Sequence, residues 1–176
     1  IKRILSEIQF HYNLVRVMKK IPKADLIVAT TDALISNPVL DFAHKHGIKY
    51  VKEVLDMWPY IFVDLGLISA KNPIMKYLWY RAKKNYTESD AAVFSLTGCF
   101  DYIRAKGWDI ESGGPVDMKK IYYINNGVDL KDFDNWKIEY TIDDEDLKSD
   151  KKKVIYLGSI RLVNNVGQLV LSLIHI

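Results

Sequence analysis

Cysteine is almost absent from this chain of 176 residues, since Cys99 is the only one. A single cysteine excludes a disulfide within the chain and a cysteine-ligated zinc site, so the composition suits a reducing compartment. The four histidines, at positions 11, 44, 46 and 175, are not spaced as a set of metal ligands. We therefore expect no metal site.

Long apolar runs and a strong charge of one sign are also missing. No stretch reaches the roughly 18 apolar residues that a membrane span requires, and polar residues such as Glu7 and Arg16 interrupt the first segment, so it is not a signal peptide. The net charge of +3 is small, and no basic run alternates with aromatic residues as base stacking requires. We expect no nucleic-acid partner and a cytoplasmic location.

What the sequence does contain is an alternation of helix-like and strand-like segments. Apolar residues spaced by three and four between Ile4 and Met18 predict a helix. Further helices are predicted with Pro38 in a first turn, with Asn72 and Pro73 at a start, and with Thr97 as an N-cap. Short β-rich runs that predict buried strands lie at 24–31, 48–56, 90–96 and 119–125. This pattern predicts an α/β fold, a Rossmann-like parallel sheet with helices on both faces.

The composition changes after residue 133. Acidic residues at 143–146 and lysines at 151–153 predict a solvated polar linker over 134–152. The run VIYLG that follows predicts the first strand of a second α/β lobe and a glycine turn, which is how nucleotide-binding lobes commonly begin. We therefore predict an N-terminal domain over 1–133 and the start of a C-terminal domain over 153–170.

The two ends of the chain are expected to differ from those of the natural protein. The first residue is Ile1 rather than methionine, so we expect the true start, including a first strand, to lie upstream. The last six residues, LSLIHI at 171–176, resemble the translation of a transposase-end adapter used in sequencing libraries. The alternative is that they continue an apolar helix after Leu169 and Val170.

The stretch EVLDMWPY carries the first candidate binding residues. In parallel sheets, ligands lie at the carboxyl ends of the strands, and Asp56 follows the predicted strand directly, with Trp58 and Pro59 after it. A carboxylate beside a large aromatic ring is a common way to hold a sugar, because the carboxylate accepts hydroxyl hydrogen bonds and the ring packs on C–H groups. The alternative interpretation is that Asp56 forms a turn and Trp58 belongs to the core.

Two later motifs carry the remaining candidates. Asn126 and Gly127 indicate a turn, because both tolerate positive φ, and Asp129 is placed to cap the next segment. In YLGSIR, the backbone at Gly158 can approach a phosphate closely, and Ser159 and Arg161 can donate hydrogen bonds to a diphosphate. A strand followed by glycine is common in α/β proteins, so the second motif is weak by itself.

Taken in this order, the motifs resemble those of the family 4 glycosyltransferases, which are retaining enzymes of the GT-B fold. The likeness is strongest to the bacterial branch that builds surface polysaccharides and covers roughly residues 23–170. It rests on DMWP at 56–59, SD at 89–90, NNGVD at 125–129 and VIYLGSI at 154–160. The chain departs from the family pattern in three places: Asn125 replaces a proline, Asp56 stands where many relatives have histidine, and the asparagines at 164–165 replace a lysine-glycine pair.

The resemblance implies transfer of a sugar from a nucleotide-diphosphate donor to a glycan or lipid-linked acceptor, with the donor as substrate and no cofactor. It implies that Asp56 is catalytic or orients the acceptor, and that Trp58 and Thr97 bind the acceptor. The other implied roles are diphosphate binding by Gly158, Ser159 and Arg161, and a hinge or turn at Asn126, Gly127 and Asp129.

Basic residues on two predicted helices suggest one more partner. These basic residues could rest on the anionic inner face of the cell membrane, and the alternative is that they form solvated helix faces. They lie at positions 16, 19 and 20 and at positions 71, 76, 81, 83 and 84. Two other functions stay open, a sugar-nucleotide epimerase of the same fold and a non-catalytic sugar- or partner-binding module. We expect this polypeptide, taken alone, to be inactive as a transferase.

Overall fold

A computed structural model describes residues 2–20, 22, 24–30, 33–160 and 164–173 of the chain. Four strands form one parallel sheet in the order β1-β2-β3-β4. The strands are β1 (Leu26–Ala29), β2 (Lys49–Val54), β3 (Ala91–Phe94) and β4 (Ile121–Tyr123). The helices are α1 (Lys2–Met18), α2 (Ala33–Lys45), α3 (Ile61–Asp64), α4 (Pro73–Glu88), α5 (Cys99–Ala105), α6 (Leu130–Glu139), α7 (Glu145–Lys148) and α8 (Val166–Ser172). The predicted α/β fold with a Rossmann-like parallel sheet is confirmed.

The helices that connect the strands cover one face of the sheet. Each strand is added beside the previous one, and right-handed crossovers through α2, α4 and α5 then place all three helices on the same side. On that side the rings of Tyr50 and Phe94 are fully buried, whereas Leu26 and Val28 on the other side are 51% and 55% exposed. Helices on both faces were predicted, but within residues 2–126 the crossover helices lie on one face, because a sheet that grows in one direction does not alternate its crossovers.

A polar network is buried between α2, α4 and β2. The Tyr50 hydroxyl donates to the Ser36 carbonyl oxygen at 3.3 Å and to Asn85 Oδ1 at 3.2 Å. The Asn85 amide in turn donates to Ser36 Oγ at 3.1 Å. Burial raises the pKa of Tyr50. Because buried polar groups are costly unless paired, this network fixes how the two helices meet the sheet.

Asp90 joins β2 to β3 at the amino end of the sheet. Its carboxylate accepts hydrogen bonds from Lys49 Nζ at 2.7 Å and from the Tyr50 N–H at 2.9 Å, and its own N–H donates to the Tyr50 carbonyl at 2.9 Å. The lysine bond first, and the backbone bond second, lower the pKa of Asp90. The serine-aspartate pair at 89–90, one of the motifs of the resemblance, thus has a structural role here.

Replacing Asp90 by asparagine is expected to change how stability depends on pH. A carboxyl whose folded pKa is depressed stabilises above its unfolded pKa of about 3.9, and that contribution is lost as the pH falls through the lower folded pKa. Since the site is partly exposed, we expect Asp90→Asn to cost about 1 kcal/mol at neutral pH. Its unfolding free energy should also fall less than that of the wild type between about pH 5 and pH 2.

Urea unfolding at a series of pH values measures this difference. The exposed Asp101, whose carboxylate lies 3.9 Å from Arg104 Nη1, provides the control. Asp101→Asn should reproduce the pH dependence of the wild type. Identical pH slopes for Asp90→Asn and the wild type would show that Asp90 is not held ionised by its partners.

Local helix signals are confirmed at one helix start and corrected at two others. Asn72 caps α4, with its Oδ1 accepting the Ile74 N–H at 2.8 Å. Pro38 lies inside α2 rather than in its first turn, because this helix already begins at residue 33. Thr97 is not the N-cap of α5. The cap position belongs to Gly98, whose carbonyl accepts the first helical N–H at 2.9 Å, without a side-chain cap bond.

The chain divides into two compact units, Ile1–Asn126 and Gly127–Ile176. The division falls at the predicted turn and seven residues before the predicted boundary at 133. Asp129 caps α6 as predicted, accepting the N–H groups of Lys131 at 2.9 Å and Asp132 at 3.1 Å. Helix α6, which this cap starts, and α7 occupy part of the 134–152 segment that was predicted to be a solvated polar linker.

The predicted first strand of a second lobe is not formed. Residues 152–157 have no regular secondary structure, and Val154 and Leu157 are 55% and 90% exposed. A strand needs a neighbour for its backbone N–H and C=O groups, and the described part of the second unit contains helices but no strand that pairs with this run. Helix α8 extends through Leu171 and Ser172, so the start of the LSLIHI segment continues the preceding helix.

Candidate functional site

A cavity of about 190 Å³ lies at the carboxyl ends of β1 and β2, within the first unit. Thr30, Lys52, Asp56 and Trp58 contribute to its lining on the sheet side. Residues of α4, including the buried Asn85, also line the cavity. This is the edge of a parallel sheet at which ligands bind. The sequence-predicted pair Asp56 and Trp58 thus lines one cavity.

A tight turn holds Asp56 and Trp58 at the mouth of this cavity. The Trp58 N–H donates to the Asp56 carbonyl at 2.8 Å, and the Ile61 N–H donates to the Met57 carbonyl at 3.2 Å, so α3 starts directly after the turn. The Trp58–Pro59 peptide is cis, and Pro59 is fully buried. Asp56 is exposed, and the half-buried Trp58 ring packs edge-on against Phe62 with centroids 6.3 Å apart. An exposed carboxylate therefore stands two residues from a half-exposed aromatic ring.

Lys52 is the cavity residue that sequence reasoning missed. Its side chain is buried with 5% of the residue exposed, and its ammonium donates to the Ala29 carbonyl oxygen at 3.2 Å, at the end of β1. The signal was present in the period-two pattern of β2, where Tyr50 and Val54 flank Lys52 on the same buried face. A buried charge is costly unless it is well paired. This site therefore combines a cation, a carboxylate and an aromatic ring.

Thr97, the other predicted acceptor residue, is exposed and is not part of the cavity lining. It lies in the turn between β3 and α5, beyond the end of the neighbouring strand. Its predicted binding role therefore receives no geometric support from the cavity.

The predicted donor-binding residues lie in the second unit. Gly158 has φ +154°, and Ser159 is exposed. The Ser159 carbonyl is already engaged, because it accepts hydrogen bonds from the Tyr156 hydroxyl at 3.0 Å and from Asn164 Nδ2 at 3.1 Å. Arg161, the predicted diphosphate cation, lies outside the described residues.

The predicted hinge residues lie at the division between the two units. Asn126 and Gly127 stand on either side of that division. The Asn126 N–H donates to Asn125 Oδ1 at 2.8 Å, a local side-chain bond of the kind that stabilises turns. Asp129 then begins α6.

Among the described residues, no group of three or more histidine, cysteine, aspartate or glutamate side chains is arranged to hold a metal ion. Nor does any described helix have the length and apolar character that crossing a membrane requires.

Comparisons of the chain with protein-family models, with curated proteins and with solved structures found no match.

Proposed function

We propose that this chain is the acceptor-side part of a retaining glycosyltransferase that moves a sugar from a nucleotide-diphosphate donor to a glycan or lipid-linked acceptor. The observation that supports the proposal most is that Asp56, Trp58 and Lys52 line one cavity at the carboxyl edge of a parallel sheet. The order of the sequence motifs supplies the rest of the argument. Surface polysaccharide synthesis in bacteria is the setting that the motifs suggest.

Each of the three cavity residues has a distinct task in binding a sugar. The Asp56 carboxylate accepts hydrogen bonds from sugar hydroxyls, and the Lys52 ammonium donates to a hydroxyl oxygen. The Trp58 ring packs on the C–H face of the pyranose. During transfer, Asp56 either orients the attacking hydroxyl of the acceptor or accepts its proton. The first role is positioning, and the second is that of a general base.

The donor side of the proposal rests on the resemblance. The diphosphate gathers negative charge as the sugar leaves, and backbone N–H groups and cations that are in place beforehand stabilise it. Gly158, Ser159 and Arg161 are proposed for that task. The donor is a substrate, and no resident cofactor is needed.

A non-catalytic sugar-binding module is the second candidate. The observation that favours it is that the described residues lining the cavity all belong to the first unit. Binding of saccharides without hydrolysis or transfer of any nucleotide sugar by the full gene product would select this candidate.

A cytoplasmic location with peripheral contact at the inner face of the membrane is part of the proposal. It is supported by exposed side chains on α4. Ile74, Tyr77 and Tyr80 are 60%, 51% and 58% exposed, and Lys76 is exposed as well. Aromatic and basic side chains on one helix suit the headgroup region of an anionic leaflet. Lys84 of the same helix is less available, because it pairs with Asp41 and, at 3.3 Å, with Glu88.

Ligand-observed NMR with a panel of neutral hexoses, hexuronates and nucleotide-diphosphate sugars tests the proposal. We expect saturable binding of at least one saccharide. Lys52→Met should weaken that binding at least about fivefold, because it removes a hydrogen bond from a charged donor worth about 1 kcal/mol or more while keeping the side-chain length. Lys119→Met, which removes an exposed lysine that does not line the cavity, should leave the affinity unchanged.

Two results would count against the proposal. Failure of every saccharide in the panel to bind would remove its basis. Equal affinities for the wild type and Lys52→Met would remove Lys52 from the site while leaving Asp56 and Trp58 as candidates.

A further inference from the structure

Three aromatic rings surround the ammonium of Lys106, the residue that ends α5. Its Nζ lies 3.6 Å from the centroid of the Trp79 ring, 5.5 Å from that of Tyr60 and 5.9 Å from that of Tyr102. All three distances are within the range of cation–π attraction, and the contact with tryptophan is the closest. We call Lys106 and these three rings the lysine cage.

The lysine cage joins three separate segments of the first unit. Trp79 belongs to α4, Tyr102 and Lys106 belong to α5 and its end, and Tyr60 belongs to the turn that carries the candidate site. The rings of Tyr60 and Tyr102 also contact each other edge to face, with centroids 5.9 Å apart. The turn is therefore attached to two helices through Tyr60.

Tyr60 is separated from Trp58 only by Pro59. Because Pro59 is fully buried and its ring fixes the backbone φ, the backbone that joins the two flanking aromatic residues has little freedom. Trp58 faces the cavity and Tyr60 faces the lysine cage. A contact that holds Tyr60 therefore also holds the backbone from which the Trp58 side chain projects.

The Lys106 ammonium is attracted to the faces of the aromatic rings in the lysine cage. A cation over an aromatic face is attracted electrostatically by the ring, and the attraction is stronger when the cation is desolvated. Burial lowers the pKa of the Lys106 amine, as expected for an ammonium that gives up water for aromatic faces. A methyl or methylene group at the same place would lack this attraction for the rings.

We propose that Lys106 is a positioning residue of the saccharide site: its ammonium holds Tyr60, and through Tyr60 the Trp58 ring, in the orientation that a bound sugar requires. This inference rests on the proposed function, since it assigns a role in the same site. Lys106 itself is not part of the cavity lining and acts only through the turn.

The test compares Lys106→Met, which keeps the chain length and loses the charge, with Lys106→Arg, which keeps a cation over the rings. Lys119→Met serves as the charge-loss control at an exposed site. Two quantities are measured, the saccharide dissociation constant and the indole N–H resonance of Trp58, assigned by Trp58→Phe. We expect Lys106→Met to move the Trp58 resonance and to weaken saccharide binding at least about fivefold. Lys106→Arg should restore both within about twofold, and Lys119→Met should change neither.

The outcomes separate this inference from the proposed function. If the wild type binds saccharides and Lys106→Met binds them equally well, the positioning role is wrong and the proposed function stands. If the wild type binds no saccharide, the proposed function fails, and an unchanged Trp58 resonance in Lys106→Met then overturns the positioning role as well.

A second pair of variants covers the case in which Lys106→Met does not fold. Tyr60→Phe keeps the ring that the ammonium contacts, whereas Tyr60→Leu removes it. We expect Tyr60→Phe to bind as the wild type does and Tyr60→Leu to lose affinity to the same degree as Lys106→Met. Equal binding by both tyrosine variants would overturn the proposal.

Discussion

Gly114→Ala is expected to destabilise the first unit by at least about 3 kcal/mol, because there is no room for a Cβ atom. A Cβ at position 114 would lie 2.2 Å from the carbonyl oxygen and 2.5 Å from the Cα of Trp108. That carbonyl accepts the Val116 N–H at 2.8 Å. Trp108 is 8% exposed and packs edge to face on Tyr102 with centroids 5.6 Å apart. Relief of the clash therefore requires movement of core backbone.

The neighbouring glycine provides a matched control. Gly113 has φ +83°, but a Cβ there would meet nothing within 4 Å. Gly113→Ala should therefore cost only the strain of a left-handed conformation, about 1 to 2 kcal/mol. Urea unfolding followed by circular dichroism measures both variants. A loss for Gly114→Ala no greater than that for Gly113→Ala would mean that the 108–116 loop is not packed as described.

Trp58→Ala is expected to weaken saccharide binding at least about tenfold, which corresponds to about 1.4 kcal/mol of binding free energy. The Trp58 ring is the only aromatic platform proposed for the pyranose, and alanine leaves no surface for its C–H groups. Trp58→Phe keeps a smaller platform and should stay within about threefold of the wild type. Titration by calorimetry measures all three proteins.

Trp136→Ala is the control for this series. Trp136 is 53% exposed on α6, in the second unit, and is not among the residues that line the cavity, so its removal deletes the same kind of side chain outside that lining. Thermal unfolding of each variant shows whether a change in affinity follows a loss of fold. Equal affinities for Trp58→Ala and the wild type would contradict a stacking role for Trp58.

Signals confined to a few adjacent residues were sufficient to predict much of the first unit. Asn72 followed by Pro73 predicted the start of α4, and the observed cap bond to the Ile74 N–H is the physical reason. Asp129 predicted its own capping role in the same way. The alternation of apolar runs and helices predicted parallel strands, because such strands need crossover helices.

Features that depend on distant partners were missed or predicted wrongly. The run at 154–157 has the composition of a strand, yet composition does not supply the neighbouring strand that it needs. Lys52 was overlooked because lysine is rarely buried, although the period-two pattern of β2 places it on the buried face with Tyr50 and Val54. The lysine cage was also invisible in the sequence, since its four residues are spread over positions 60 to 106 and meet only in the fold.

The candidate site depends both on a local sequence motif and on contacts that form only in the fold. Asp56 and Trp58 follow from a local motif at a strand end, and their placement in one cavity is what the structure adds. Thr97 shows the limit of the same reasoning. It also follows a strand, but the turn after β3 leaves it exposed and outside the cavity lining.

The most direct test of sugar binding at Asp56 and Trp58 is a saccharide titration of the chain labelled with ¹⁵N, followed at its four tryptophan indole signals. We predict a saturable shift of the Trp58 indole resonance that Asp56→Asn weakens, with the Trp136 resonance unchanged. A titration in which the Trp58 resonance does not move, or in which Trp136 alone responds, would contradict the assignment of this cavity as a sugar site.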